Sequence, residues 1–145
     1  MAEGEDYQGR RAIKTKLAPA PGNYNQGIVV DIGSHLVVYT AGQTGNDPVS
    51  GDLVSGGIGP QTAQALNNLK GVLRTVGGRL EDIVNVTVFM KNMGEDKQGF
   101  EGVYSKYIPQ PLPARSLVEV KDIPLPGEGC LVEINAVAYV PKNRY

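Results

Sequence analysis

Apolar residues recur every three or four positions between residues 59 and 76, and polar side chains fill the positions between them. The apolar set is Ala63, Leu66, Leu69, Val72, Leu73 and Val76, and the polar set is Gln64, Asn67, Asn68, Lys70 and Arg74. This period predicts an amphipathic α-helix with one buried face. Pro60 stands in its first turn and Gly77-Gly78 marks its end, in line with the preferences of proline and glycine at helix termini.

Segments rich in β-branched residues surround this helix and predict strands. They cover residues 12–17, 27–32, 35–41, 83–90, 114–120 and 130–140, and the second and third form a hairpin about a glycine turn. A weaker helix is predicted over residues 95–107, because two glycines lower its helix propensity. The order is strands, helix, strand, helix, strands. It predicts an α+β fold, with a mixed β-sheet and two helices packed on one face.

Alternation along the last two strands separates apolar from charged side chains. In residues 131–140, every second residue from Val132 is apolar, and Glu133 lies on the opposite, mixed face. In residues 114–120, Arg115, Leu117 and Glu119 share a side. We expect Arg115 and Glu133 on the same mixed face, which would suit a subunit interface. On spacing alone a structural ion pair is the commoner outcome. A carboxylate-binding arginine beside a water-activating glutamate is the alternative.

Composition narrows the classes of function. The 145 residues fit one domain, which we assign to residues 12–145 after a polar, flexible tail at residues 1–11. A net charge of −1 makes nucleic acid an unexpected partner. With Cys130 as the only cysteine and His35 as the only histidine, a disulfide within the chain and a multi-histidine metal site are excluded. No apolar run is long enough for a membrane helix, and we expect a cytoplasmic protein.

Seven segments, in order, resemble the reactive intermediate deaminase family, also called RidA, YjgF or the perchloric-acid-soluble translation inhibitors. They are residues 20–26 (APGNYNQ), 39–43 (YTAGQ), 47–54 (DPVSGDLV), 61–70 (QTAQALNNLK), 84–89 (VNVTVF), 113–116 (PARS) and 132–138 (VEINAVA). Each is weak alone, but their common order over residues 17–140 makes the resemblance specific. It implies a chorismate-mutase-like fold and a homotrimer with sites in clefts between subunits.

The resemblance also implies a chemistry: hydrolysis of 2-aminoacrylate and related imino acids to 2-keto acids and ammonia, without metal or cofactor. Arg115 matches the arginine that binds the substrate carboxylate, and Glu133 matches the glutamate that positions the attacking water. Tyr24 matches a pocket tyrosine, and Gly42 lies where backbone near the substrate is expected. The implied protein is thus an imino-acid deaminase of the 2-iminobutanoate/2-iminopropanoate type, with an imino or keto acid as its small-molecule partner.

Four positions depart from the family pattern within the implied site. Ala41 stands where a serine is common, Leu117 where a cysteine is common, Tyr104 in place of a frequent asparagine, and Asn135 in place of a second glutamate. Tyr104 and Leu117 are therefore expected among the substrate-binding residues, Leu117 through its backbone. The loop at residues 121–129 is also longer than its family counterpart. These changes affect substrate preference, and they keep open a trimer that binds a small carboxylate without turnover. An endoribonuclease or translation inhibitor is a third, less favoured reading.

Overall fold

A computed structural model describes residues 8–124 and 129–144. Its strands and helices are β1 (Arg10–Ile13), β2 (Gly27–Asp31), β3 (His35–Thr40), α1 (Ile58–Arg74), β4 (Ile83–Met90), α2 (Met93–Tyr107), β5 (Ala114–Glu119) and β6 (Val132–Pro141). The six strands form one sheet in the order β1-β2-β3-β6-β4-β5. Only the β4–β5 pair is parallel, because α2 carries the chain back across the sheet between them. The predicted α+β fold with a mixed sheet and two helices is confirmed.

The core lies between the sheet and the two helices. Its largest fully buried side chains include Phe100, Leu66, Leu69, Leu73, Met90 and Ile134. α1 packs on β3 and β6 and also contacts α2. The other face of the sheet is uncovered in the single chain, and it exposes Tyr39, Val118 and Tyr139 by 45–51%. Neither α1 nor α2 is long and apolar enough to cross a membrane.

The first strand is shorter and earlier than predicted. β1 begins at Arg10 and ends at Ile13, so the expected strand at residues 12–17 is wrong beyond Ile13. The Gln26 side chain explains the end of the strand. Its Oε1 accepts a hydrogen bond from Thr15 N at 2.7 Å, and its Nε2 donates to Thr15 O at 2.9 Å and to Pro19 O at 2.9 Å. Of the predicted tail, residues 1–7 lie outside the described residues, and Arg10 and Arg11 belong to β1.

Asn68 corrects the predicted polar face of α1, because it is fully buried. Its Nδ2 donates to the carbonyl oxygens of Thr44 at 3.0 Å and Asn46 at 2.9 Å. Gln61 on the same helix is also buried, and it accepts from Leu131 N at 2.8 Å. Both amides satisfy backbone groups of neighbouring loops, which would otherwise be buried without partners. α1 therefore fixes the loop after β3 and the start of β6.

The orientation of β5 is the reverse of the prediction. Arg115 pairs with Val86 and Leu117 with Val88, and both valines point into the core. Arg115 and Leu117 therefore face the helices, and Val118 is on the uncovered face. Glu133 pairs with Phe89, one position out of phase with these valines, so it does lie on the uncovered face. The expectation that Arg115 and Glu133 share a face is wrong, because a one-residue change of register inverts every side chain of a strand.

Candidate functional site

Glu133 lies where β6 passes the end of β3. Gln43 and Ile134 exchange two backbone hydrogen bonds, of 2.8 and 2.9 Å, just after β3 ends at Thr40. This bridge brings Gly42 against the Glu133 side chain. A Cβ atom at Gly42 would lie 2.7 Å from both Cδ and Oε2 of Glu133, closer than real Cβ atoms come. Position 42 therefore accepts only a residue without a side chain if Glu133 keeps this place.

A cavity of about 460 Å³ opens beside this contact. Its wall includes Tyr24, Tyr39, Thr40, Ala41, Gly42 and Glu133. Three of the residues predicted for the site, Tyr24, Gly42 and Glu133, are thus brought together. Tyr24 is about half exposed and lines the cavity. Ala41 also lines the cavity, and its side chain adds no polar group to this wall.

The Glu133 carboxylate is half-buried, and none of the residues that the structure describes donates a hydrogen bond to it. Burial raises the pKa of Glu133 above its ordinary value of 4.5. Loss of hydration favours the neutral form of a carboxyl group, and within residues 8–124 and 129–144 no cation offsets this effect. A carboxylate in this state has free oxygens and raised basicity, two properties of a group that accepts a proton from water.

Arg115 lies on the other side of the sheet, under α2. Its Nη1 and Nη2 donate to Oε1 and Oε2 of Glu101 at 2.5 and 3.0 Å. The guanidinium carbon stands 4.8 Å from the ring centre of Tyr104 and 5.7 Å from that of Phe100. These rings and the carboxylate fix the plane of the fork. The Arg115 side chain is nevertheless 24% exposed, so it is not sealed from solvent in the single chain.

Tyr104 and Leu117 lie with Arg115 rather than with Glu133. Tyr104 is buried with its ring under the guanidinium, and Leu117 packs against the core. The six predicted site residues therefore fall into two groups on opposite faces of the sheet. Glu101 joins the Arg115 group and was missed by the sequence interpretation. Glu101 precedes Tyr104 by three residues, and residues i and i+3 share a helix face. This spacing was the signal that could have placed Glu101 beside the predicted site residue Tyr104.

Comparisons with known proteins agree with this arrangement of elements. The sequence model of a family described as Endoribonuclease L-PSP, which is the RidA/YjgF family, matches residues 15–140. The chain belongs to the RidA/YjgF family. A RutC family protein of Pyrococcus horikoshii is 40% identical over 131 residues, which cover 90% of this chain and 98% of that protein. The human 2-iminobutanoate/2-iminopropanoate deaminase is 37% identical over 130 residues, 89% of each chain.

A solved structure extends the likeness from sequence to fold. RidA from the Antarctic bacterium Psychrobacter sp. superposes with a TM-score of 0.78 at 33% sequence identity, covering 90% of this chain and 99% of that one. The RidA/YjgF family thus contains imino-acid deaminases at moderate identity to this chain. This supports the resemblance inferred from the seven sequence segments.

Two reactive residue types lie outside both groups in this RidA-family chain. Cys130 is buried just before β6, and burial raises the pKa of its thiol. A protonated, buried thiol is a poor nucleophile, which agrees with its interpretation as a small hydrophobic residue. His35 begins β3, and its Nδ1 is 2.9 Å from Ser34 Oγ at an exposed hairpin.

The long loop predicted at residues 121–129 lies partly outside the described residues.

Proposed function

We propose that this protein is an imino-acid deaminase, which hydrolyses 2-aminoacrylate or 2-imino acids to 2-keto acids and ammonia. One observation carries the proposal above all: the half-buried Glu133 carboxylate faces a cavity, against the backbone of Gly42, with no hydrogen-bond donor among the described residues. The family context adds the reaction, since the human relative is named for two imino acids. No metal or cofactor enters the proposed reaction, and we expect it to take place in the cytoplasm.

The site would be completed by a second copy of the chain. Arg115 and Glu133 point to opposite faces of one sheet, so a single chain cannot bring both to one small substrate. β5 is an edge strand, which leaves Arg115 near the margin of the sheet, where a neighbouring subunit can approach. The uncovered face, with Tyr39, Val118 and Tyr139, is an apolar surface suited to such a contact. We therefore propose a homotrimer in which Arg115 of one subunit faces the cavity of the next.

In the proposed reaction, the guanidinium of Arg115 holds the substrate carboxylate through paired hydrogen bonds. Glu133 orients a water molecule and accepts its proton as the oxygen attacks the imine carbon. The carbon–oxygen bond forms as the π electrons of the carbon–nitrogen bond move to nitrogen, and Glu133 passes the proton to that nitrogen, which gives a carbinolamine. Glu133 then takes the proton of the carbinolamine hydroxyl and passes it to the amino nitrogen. The carbon–nitrogen bond breaks as the carbonyl forms, and ammonia leaves a 2-keto acid. Imines hydrolyse in water unaided, so orientation and one placed water supply a large part of the required acceleration.

The direct test generates a 2-imino acid in the assay with an amino-acid oxidase and follows keto-acid formation. We expect the protein to accelerate release over buffer, and the Glu133→Ala variant to lose the acceleration while it still binds a keto acid. Arg115→Ala should lose both binding and turnover. No acceleration by the unmodified protein across several imino acids would refute the proposal.

Binding without turnover is the second candidate, and Ala41 favours it because the cavity lacks a hydroxyl there. Tight binding of keto acids without hydrolysis of any imino acid would establish it. The family description also mentions an endoribonuclease. The net charge of −1 gives that reading little electrostatic support. RNA cleavage that stays with the purified protein and disappears in Arg115→Ala would reverse this ranking.

A further inference from the structure

The fork of Arg115 already holds a carboxylate that belongs to its own chain. Glu101 forms two hydrogen bonds with the Nη1/Nη2 edge, in the geometry that a substrate carboxylate would use. Hydrogen bonding from Arg115, together with its positive charge, lowers the pKa of Glu101, so this side chain is ionised at neutral pH. The Arg115–Glu101 pair therefore has a net charge close to zero.

Stability alone is a weak reason for this pair. The Arg115 and Glu101 side chains are 24% and 39% exposed, and solvent screening at that exposure weakens the contribution of an ion pair to folding free energy. The Tyr104 and Phe100 rings also lie against the guanidinium, so Glu101 is one of three groups that orient it. What Glu101 changes most is the charge that an incoming anion meets.

A substrate carboxylate has two ways to bind under these conditions. It can displace Glu101 from the Nη1/Nη2 edge, or it can use the remaining Nε edge, since a guanidinium has five N–H donors. In both cases the substrate anion lies close to an ionised carboxylate. Arg115 can oppose one negative charge on the substrate. A second negative charge on the substrate would find no other cation in the Arg115–Glu101 pair. Lys97, one turn earlier on α2, also lowers the pKa of Glu101 through its charge, but its side chain is exposed to solvent.

We propose that Glu101 is a specificity-determining residue that restricts the site to imino acids carrying a single negative charge. It lowers the affinity of Arg115 for carboxylates in general and excludes those with a second carboxylate by like-charge repulsion. The inference rests on the proposed function, because it takes Arg115 as the group that binds the substrate. It adds the substrate class: monocarboxylic imino acids with neutral or cationic side chains.

The test measures the dissociation constants of pyruvate and 2-oxoglutarate, as a monoanionic and a dianionic keto acid, for the full-length protein and for Glu101→Gln. The unmodified protein should bind pyruvate more tightly. In Glu101→Gln both ligands should bind more tightly, and the ratio of the two dissociation constants should fall about tenfold, because the repelling charge is gone. Glu95→Gln, the same charge change at an exposed position of the same helix, should leave the ratio unchanged.

A ratio that is the same in Glu101→Gln as in the unmodified, active protein would overturn the inference and leave the proposed function standing. Loss of all keto-acid binding in Glu101→Gln, with an unchanged melting temperature, would also overturn it, since Glu101 would then be needed to bind substrate. If the unmodified protein binds neither keto acid and hydrolyses no imino acid, the proposed function fails, and the inference fails with it.

Discussion

The carboxylate of Glu133 lies so close to Gly42 that a Cβ atom at position 42 would be 2.7 Å from its Cδ and Oε2 atoms. Two chain segments meet at this point, the residues just after β3 and the start of β6, and the Gln43–Ile134 bridge fixes their spacing. The contact also holds the proposed catalytic carboxylate at the cavity wall. The importance of this contact can therefore be tested by adding one methyl group at position 42.

We expect Gly42→Ala to reduce kcat/KM at least about tenfold, because the new methyl group displaces the Glu133 carboxylate from the cavity wall. The cost in stability should be about 1–2 kcal/mol, as is usual when one methyl group is forced into a packed site. Gly94→Ala is the matched control, since an added Cβ there meets no atom within 4 Å. Equal activity of the two variants would show that the position of Glu133 is not critical.

The raised pKa of Glu133 has consequences for activity as a function of pH. If its carboxylate accepts a proton from water, kcat/KM should fall on the acid side with a midpoint above 4.5, the ordinary value for glutamate. Substitution Glu133→Gln should leave a low residual rate without this acid limb. An acid limb that persists in Glu133→Gln would assign the titration to another group.

The same pKa shift predicts an effect on stability. Folding raises the pKa of Glu133, so the protonated form is favoured in the native state. This contribution to the free energy of unfolding is fully present below the pKa that Glu133 has in the unfolded chain. It is lost as the pH rises through the pKa that Glu133 has in the folded chain. Glu133→Gln should therefore be more stable than the unmodified protein at pH 7, and the difference should shrink towards pH 4. Urea unfolding of the two proteins at pH 7 and at pH 4, at a fixed protein concentration, measures this difference in stability.

Mixing two inactive variants tests whether the site is shared between subunits. In a cyclic trimer with Arg115 and Glu133 on different chains, Arg115→Ala and Glu133→Ala subunits together form an intact site at one of their contacts. A mixed trimer should regain activity at about one of its three sites. The two variants are unfolded together and refolded, and the mixture is compared with each variant treated alone. Activity no higher than that of the separate variants would contradict an intersubunit site.

Two glycines of α2 should respond in opposite ways to alanine. Gly102 has open space where a Cβ atom would lie, so Gly102→Ala should stabilise the protein by about 0.5–1 kcal/mol through helix propensity. At Gly99 the added atom would lie 2.8 Å from Cγ2 of Ile58, where α2 meets the start of α1. Gly99→Ala should gain less than Gly102→Ala or lose stability. Thermal unfolding of both variants checks the order, and a larger gain at position 99 would contradict the packing seen there.

Local sequence patterns were enough to predict most helices and strands, and also the buried face of those with a clear period. The helical period in α1 predicted Leu66, Leu69 and Leu73 as buried, and the alternation in β6 predicted Glu133 opposite an unbroken apolar face. These patterns are local, because the side-chain directions of one helix or strand follow from backbone geometry alone. The family resemblance also rested on short, local segments of sequence.

Tertiary structure alone decided where Arg115 points and what it contacts. β5 alternates between residues of mixed character, so its phase depends on the parallel register with β4, which pairs Arg115 with Val86. The partner that stabilises the charge there, Glu101, comes from a helix 14 positions earlier in the chain. Asn68 is buried for a similar reason, since its partners are carbonyl groups of a distant loop. Pairing between separate segments is not encoded in the period of either one, and for that reason the two halves of the site could be placed only in the folded chain.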